Sequence, residues 1–303
     1  MFSHSTVRNT LRNARTLLIG VALLTVVPNS VFADRKVTAT DSGDIVASDL
    51  AEMQEYSELQ KAHLLTKLEV AKSLTDQQRE LVATALSKDL EGLPLCSFSQ
   101  NIVYREETEK SETRLATVHE NGLITDDKSR ERMFSEWKYS PFSAPPSAGM
   151  DFASVTLIEE TDSEATFQFK FDKKAKSSSE NIRELLGNLK RVAKNLRYDL
   201  TVDKQTGAPK KLVLELIKPT RVMVVARVKK IRHEYVYKFD ENMQRFTIPV
   251  QVIEFAYSAP TRGKVDEKID VTYSNFECST PLRYMWRTST DLTGATSFDY
   301  NPQ

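Results

Sequence analysis

The chain has 303 residues, 28% of them charged, with 42 basic and 42 acidic side chains in balance. That balance leaves no electrostatic footprint for nucleic acid or an anionic membrane. Nine glycines and a 40% hydrophobic content exclude a low-complexity chain.

Residues 1–33 read as a secretory signal. Arg8, Arg12 and Arg15 make a basic start with no acid, and Leu17–Val27 is an apolar run broken by Pro28. At ~1.5 Å rise per residue the run covers about half of a ~30 Å hydrocarbon core, too little for a membrane anchor. Val31-Phe32-Ala33 offers a cleavage site that would leave Asp34 first. No Cys follows the run and no Arg pair precedes it, so the general secretion route is expected rather than a lipoprotein or twin-arginine signal. The mature chain would carry a net charge of −3, lack a transmembrane span, and reside in the periplasm or outside the cell.

Residues 34–46 are polar and read as a flexible leader. Ala47–Lys72 is helical in pattern, with Leu50, Met53, Tyr56, Leu64 and Leu68 near a 3.6 period. Thr75-Asp76-Gln77-Gln78 is a capping box, and Leu81, Val82, Leu86 and Leu90 line the helix that follows. Gly92 is placed to end that helix and Pro94 to prevent its resumption. The pair reads as a helical hairpin on a sheet, or alternatively as an amphipathic surface for a partner. Strands are expected at Phe98–Tyr104, at Arg114–His119 before an Asn121-Gly122 turn, and at Phe134–Tyr139. Ser140–Met150, rich in Pro and Ser, reads as a loop or lid. Val155–Glu159 and Ala165–Phe171 form a predicted hairpin in which Phe167, Phe169 and Phe171 share a face. A third helix is expected from a capping box at Ser177–Glu180 through Val192, with Gly187 inside it for close packing.

Leu196–Cys278 is a β-meander. Leu196, Tyr198, Leu200 and Val202 alternate with polar residues, then Leu212, Leu214 and Leu216 after a Lys204–Gly207 turn, with a break at Pro219. Val222, Val224 and Val228 lead to Ile231, Tyr235, Tyr237 and Phe239, with a one-residue shift around Lys229-Lys230 that predicts a β-bulge. A similar shift is expected between Val252 and Ile253. Ile269, Val271 and Tyr273 make the final strand, and residues 279–303 form a polar tail without a period. The fold class is therefore α+β: a helical pair (47–92), then a strongly curved antiparallel sheet (96–278) with one inserted helix. Residues 47–278 are expected to form a single domain.

Little points to catalysis. His4, His63, His119 and His233 lack metal-site spacing, and no nucleophile elbow or phosphate loop occurs. Ser135-Glu136-Trp137-Lys138 has Ser-x-x-Lys spacing, but the Ser-Asp-Asn and Lys-Thr-Gly partners are missing. The protein is expected to be a non-enzyme without metal or cofactor. Arg221, Arg227, Lys229, Lys230 and Arg232 offer either a head-group site or a solvated face guarding an edge strand. Cys96 and Cys278, an even pair in an exported chain, predict a disulfide; two buried thiols are the alternative.

Three short stretches carry a family resemblance: Phe98-Ser99-Gln100 after the helical pair, the Asp203–Pro209 turn, and the closing Tyr273-Ser274-Asn275-Phe276. Through them residues 80–278 resemble the LolA/LolB-like periplasmic lipoprotein-carrier superfamily. The resemblance implies a half-open barrel, a curved sheet covered by helices, with acyl chains on its apolar concave face. Two function classes follow. In one, the sheet binds a lipid or other apolar ligand, lined by Phe167, Phe169, Phe171, Tyr235 and Tyr237. In the other, the core is filled and the protein is a structural or interaction partner in the cell envelope.

Overall fold

The computed structural model describes residues 45–88, 93–105, 109–119, 123–128, 130–133, 141–142, 149–172, 190–221, 226–259 and 263–287. The predicted signal peptide, the Asn121-Gly122 turn, the Phe134–Tyr139 strand, the Ser177–Glu180 capping box with Gly187, Val222 and Val224 all lie outside them.

In chain order the elements are β1 (Ile45–Ser48), α1 (Leu50–Leu68), α2 (Asp76–Ser87), β2 (Leu93–Pro94), β3 (Cys96–Arg105), β4 (Glu109–Val118), β5 (Leu123–Asp126) and β6 (Glu131–Met133). There follow β7 (Met150–Glu160), β8 (Glu164–Phe171), the single turn α3 (Lys190–Ala193), β9 (Leu196–Asp203), β10 (Pro209–Leu216), β11 (Thr220–Arg221), β12 (Arg227–Asp240), β13 (Arg245–Ala259), β14 (Gly263–Cys278) and β15 (Tyr284–Arg287). The main sheet runs β6-β5-β4-β3-β14-β13-β12-β10-β9-β8-β7, with β11 beside β12. Every pairing is antiparallel, and the sheet is open, ending at β6 and β7. A helical pair followed by a long antiparallel sheet is the class that the patterning predicts.

Both helix starts follow from their caps. The Asp49 carboxylate accepts from the Glu52 N–H at 3.0 Å, so α1 begins at Leu50 rather than at Ala47. Residues 45–48, expected to be leader and first helical turn, extend instead as β1 and pair with β15. β15 in turn pairs with β2, so part of the polar tail that shows no period is a strand of a second, three-stranded sheet. Four-residue strands are too short to show a period. At α2 the Thr75 capping box is complete: Thr75 Oγ1 accepts from the Gln78 N–H, and Gln78 Oε1 accepts from the Thr75 N–H. α2 ends at Ser87 with Lys88 as its C-cap, short of Leu90 and Gly92, which lie outside the described residues.

The meander follows its alternation closely. A register shift between Val228 and Lys230 is the bulge predicted near Lys229-Lys230. The second shift lies elsewhere than expected. Val236 pairs with Val250 and Lys238 with Thr247, which places the extra residue at Ile248-Pro249 rather than at Val252-Ile253. Pro249 has no N–H to give to the ladder, so a bulge there leaves no donor stranded. Cys96 and Cys278 face each other across β3 and β14 and are joined as a disulfide, 182 residues apart in sequence. In the chain-entropy model a loop of that length gives a ceiling of about 5 kcal/mol.

The β9–β10 turn seats the helices on the sheet. Asp203 Oδ1 accepts from the N–H groups of Gln205 and Thr206, and Gly207 adopts a φ of 63°. Lys88 Nζ, at the end of α2, donates to the Thr206 carbonyl at 2.7 Å. A Cβ on Gly207 would stand 2.7 Å from Thr84 Cγ2 of α2. Gly207→Ala therefore combines backbone strain with a clash and should cost more than about 1 kcal/mol. Urea denaturation should show a lower midpoint for this variant, and an unchanged midpoint would contradict the docking of α2 on the turn.

Candidate functional site

Alternation places one series of side chains on the sheet face that meets the helices, here the inner face. Three apolar clusters divide it. The first joins Leu64, Leu68 and Val82 of the helices to Phe167, Phe169, Leu200, Val202, Leu212, Tyr235 and Tyr237. The second centres on Phe98, Ile102, Phe142, Ile253, Val271 and Tyr273. The third, at the opposite strand ends, gathers Val192, Leu196, Leu216, Val228, Ile231, Phe255 and Tyr257.

All five sequence-predicted lining residues belong to this region, though their settings differ. Phe167 and Phe169 are 0% exposed, and Phe169 meets Phe152 edge to face at 5.9 Å. Tyr235 and Tyr237 are buried in the same cluster. Phe171 sits at its margin, half-buried, and stacks on Tyr198 at 6.0 Å. Of the predicted loop or lid at Ser140–Met150, Phe142 is buried against Phe98 and Phe276, and the Pro141 carbonyl accepts from the Ile248 N–H.

Across the middle runs a row of polar side chains that periodicity alone does not single out. The Tyr235 hydroxyl lies 2.8 Å from His233 Nδ1, and His233 Nε2 lies 3.3 Å from Gln251 Oε1. Gln251 Nε2 donates to the Tyr273 hydroxyl at 3.2 Å, and Gln100 Nε2 approaches the same oxygen at 3.5 Å. The row thus crosses β12, β13, β14 and β3. One tautomer, with the proton on Nε2, lets His233 donate to Gln251 and accept from Tyr235. The His233 and Tyr235 rings stack at 4.0 Å. Burial pushes the His233 imidazole down to about 4, so it is neutral at pH 7. The arrangement offers uncharged hydrogen-bonding groups set in an apolar face. Its signal was present in the sequence: Gln100, His233 and Gln251 stand in phase with inward apolar neighbours such as Phe98, Ile231 and Ile253.

The basic run lies on the other face. Arg232 pairs with Glu215 at 3.0 Å and Glu234 at 2.6 Å, and Lys230 pairs with Glu254 at 2.9 Å. These partners come from β10, β12 itself and β13. β12 is flanked by β10 and β11 on one side and β13 on the other, so its charges guard no edge; Lys230 and Arg232 form ion pairs on a partly exposed surface, across to neighbouring strands and within β12. Among the described residues, no group of three His, Cys, Asp or Glu gathers as a metal site. Among them, too, no helix is long and apolar enough to cross a membrane.

No family model matches the chain, and no curated protein matches it. Among solved structures, a LolA superfamily protein of Nitrosomonas europaea aligns with 71% of this chain and 93% of its own, at 9% identity and a TM-score of 0.31. An acyl-CoA thioesterase II of Mycobacterium marinum aligns with 84% of this chain and 96% of its own, at 7% identity and a TM-score of 0.12. Scores this low do not establish a shared fold in either case.

Two expectations follow from these settings. Phe169→Ala removes a fully buried ring and should cost about 3–5 kcal/mol in a denaturant melt. A loss below about 1 kcal/mol would mean that the ring borders open space. His233 has a native pKa below the 6.5 of an unfolded imidazole, so the unfolded state takes up a proton first on acidification. Stability from this group should fall as pH drops from 6.5 toward about 4, and then level off. Thermal melts of His233→Gln should lose that part of the acid sensitivity; an identical pH profile would contradict the buried neutral imidazole.

Proposed function

We propose that the protein is exported to the periplasm and binds a lipid or other apolar ligand on the inner face of its sheet, under the α1–α2 hairpin, without catalysing a reaction. One observation carries this reading. The inner face is apolar near the β9–β10 turn and at the opposite strand ends, with the polar row between, yet the sheet does not close, so its cover comes from separate elements. The hairpin is fastened at its C-terminal ends, where Ser73 Oγ donates to the Val155 carbonyl and Lys88 Nζ to that of Thr206. Between them it rests on apolar side chains such as Leu64, Leu68 and Val82. Apolar contact is non-directional, and a cover held this way can shift to admit a chain of similar character.

A second reading has its own support. Phe167 and Phe169 are 0% exposed with helix side chains against them, as a filled core requires. In that case the protein is an envelope structural or interaction partner without a small-molecule ligand.

Purified mature protein distinguishes the two. Under the first reading, organic extraction and mass spectrometry should recover a lipid in near-stoichiometric amount, and delipidated protein should bind a hydrocarbon probe such as diphenylhexatriene. Absence of both lipid and probe binding would leave the filled-core reading.

A further inference from the structure

Arg221, Arg227 and Lys229 of the basic run take no part in the ion pairs of Lys230 and Arg232, and the fold brings further cations to them. The strand registers set Arg221 of β11 opposite Arg227 of β12, Arg227 opposite Ser258 of β13, and Ser258 opposite Lys264 of β14. Residues directly opposite share a face of the sheet, so Arg221, Arg227 and Lys264 stand in one row. Val228 and Tyr257, the next residues along, are buried in the third apolar cluster, which puts the row on the outer face. With strands ~4.8 Å apart, the row spans about 14 Å. Lys229 falls in the register shift between Val228 and Lys230. Lys218 and Lys194 join from the side of α3. The Ile217 N–H donates to the Asn195 carbonyl at 3.0 Å, and Asn195 Nδ2 donates to Thr220 Oγ1 at 2.7 Å, which ties the turn after α3 to the start of β11.

All six cations are exposed, and among the described residues none of them forms an ion pair. The acids of this face do not cancel them. Glu215 and Glu254 are held by Arg232 and Lys230, and Asp266, two residues along from Lys264, offsets one charge. Like charges directly opposite each other destabilise a sheet, and Arg221 and Arg227 are such a pair. An anion against both removes the repulsion. Over the whole chain 42 cations balance 42 anions, so this concentration is a product of folding and not of composition. The opposite strand ends carry the other sign: Glu159, Glu160, Asp162 and Glu164 surround the β7–β8 turn, with Glu160 paired to Lys204. Such an uneven distribution turns the basic end toward an anionic surface. Ile217, 49% exposed, stands beside Lys218 among the cations. A bilayer interface accepts an aliphatic side chain and cations together, whereas a nucleic-acid backbone has use only for the charge.

We propose that this end of the sheet is a docking surface for an anionic phospholipid bilayer. Arg221 and Arg227 meet lipid phosphates, Lys194, Lys218, Lys229 and Lys264 widen the positive field, and Ile217 enters the headgroup boundary. The proposal goes beyond the ligand-binding reading and holds whether or not the inner face carries a ligand.

The test is sedimentation of purified mature protein with phosphatidylcholine vesicles, with and without one third phosphatidylglycerol. Wild type should partition about tenfold or more strongly onto the anionic vesicles, and high salt should abolish the difference. Arg221→Gln with Arg227→Gln should weaken that binding about tenfold or more. Lys128→Gln with Lys238→Gln removes two exposed charges at the other ends of β5 and β12 and should leave it nearly unchanged. Arg227→Glu adds a second readout. It turns a like-charge pair into an opposite-charge pair, so it should keep or raise the melting temperature while weakening vesicle binding. A lowered melting temperature with unchanged vesicle binding would make the arginines structural and overturn the proposal. Equal binding to both vesicles in wild type, or none to either, would overturn it too. An equal loss in the Lys128–Lys238 control would assign the effect to net charge and overturn the location. Binding of duplex DNA at the same salt, without binding of anionic vesicles, would replace the membrane by a nucleic acid.

Discussion

An open sheet with one apolar face cannot leave that face in water, and this requirement organises the molecule. Alternation along β9, β10, β12, β13 and β14, reset by the two β12–β13 bulges, turns aliphatic and aromatic side chains to the same side. Burying a side chain the size of Leu or Phe is worth about 1.5–3 kcal/mol, so the face as a whole dominates folding. Each non-sheet element meets this need at a different place. α1 and α2 cover the end near the β9–β10 turn, Phe142 fills the side near β3, and Val192 of α3 covers the far end.

Within that apolar face the polar row is the exception. Replacing the Tyr235–His233–Gln251–Tyr273 contacts by hydrocarbon would keep the burial and avoid desolvating polar groups. What the row adds is direction. The His233–Gln251 and Gln251–Tyr273 hydrogen bonds each work only in one register between neighbouring strands, so they tie β12, β13 and β14 to a single alignment where apolar contacts alone would tolerate slippage. On the outer face Arg232 joins β12 to β10 through Glu215 and pairs with Glu234 of its own strand, at a partly exposed surface where each pair is worth roughly 1 kcal/mol or less.

Much of this was legible in the sequence wherever a signal had enough length. The alternation over Leu196–Val202, the phase change at Lys229-Lys230, the Thr75 capping box and the Cys96–Cys278 pair all follow from local chemistry that the structure realises. What escaped has physical reasons. β1 and β15 span four residues each, too few for a period, and owe their conformation to each other. The second bulge was displaced because Pro249, a residue that cannot donate to the ladder, decides its place more firmly than hydrophobic phase does. The polar row was overlooked because a search for apolar alternation passes over Gln100, His233 and Gln251 at the positions where they matter most. The buried Nε2 atoms of Gln60 and His63 have no hydrogen-bond partner, which depends on what does not approach them and which sequence cannot express.

The central claim is that the α1–α2 hairpin is a separable cover and the sheet a stable body beneath it. Native-state hydrogen exchange tests this most directly, because it reads the opening free energy of each segment on its own. The account predicts that the amides of Leu50–Leu68 and Asp76–Ser87 exchange through an opening cheaper than global unfolding, while those of β9, β10, β12 and β13 exchange only with it. It further predicts that a bound hydrocarbon probe such as diphenylhexatriene slows exchange in the two helices. Helices and central strands exchanging together, at one free energy and without response to ligand, would contradict it.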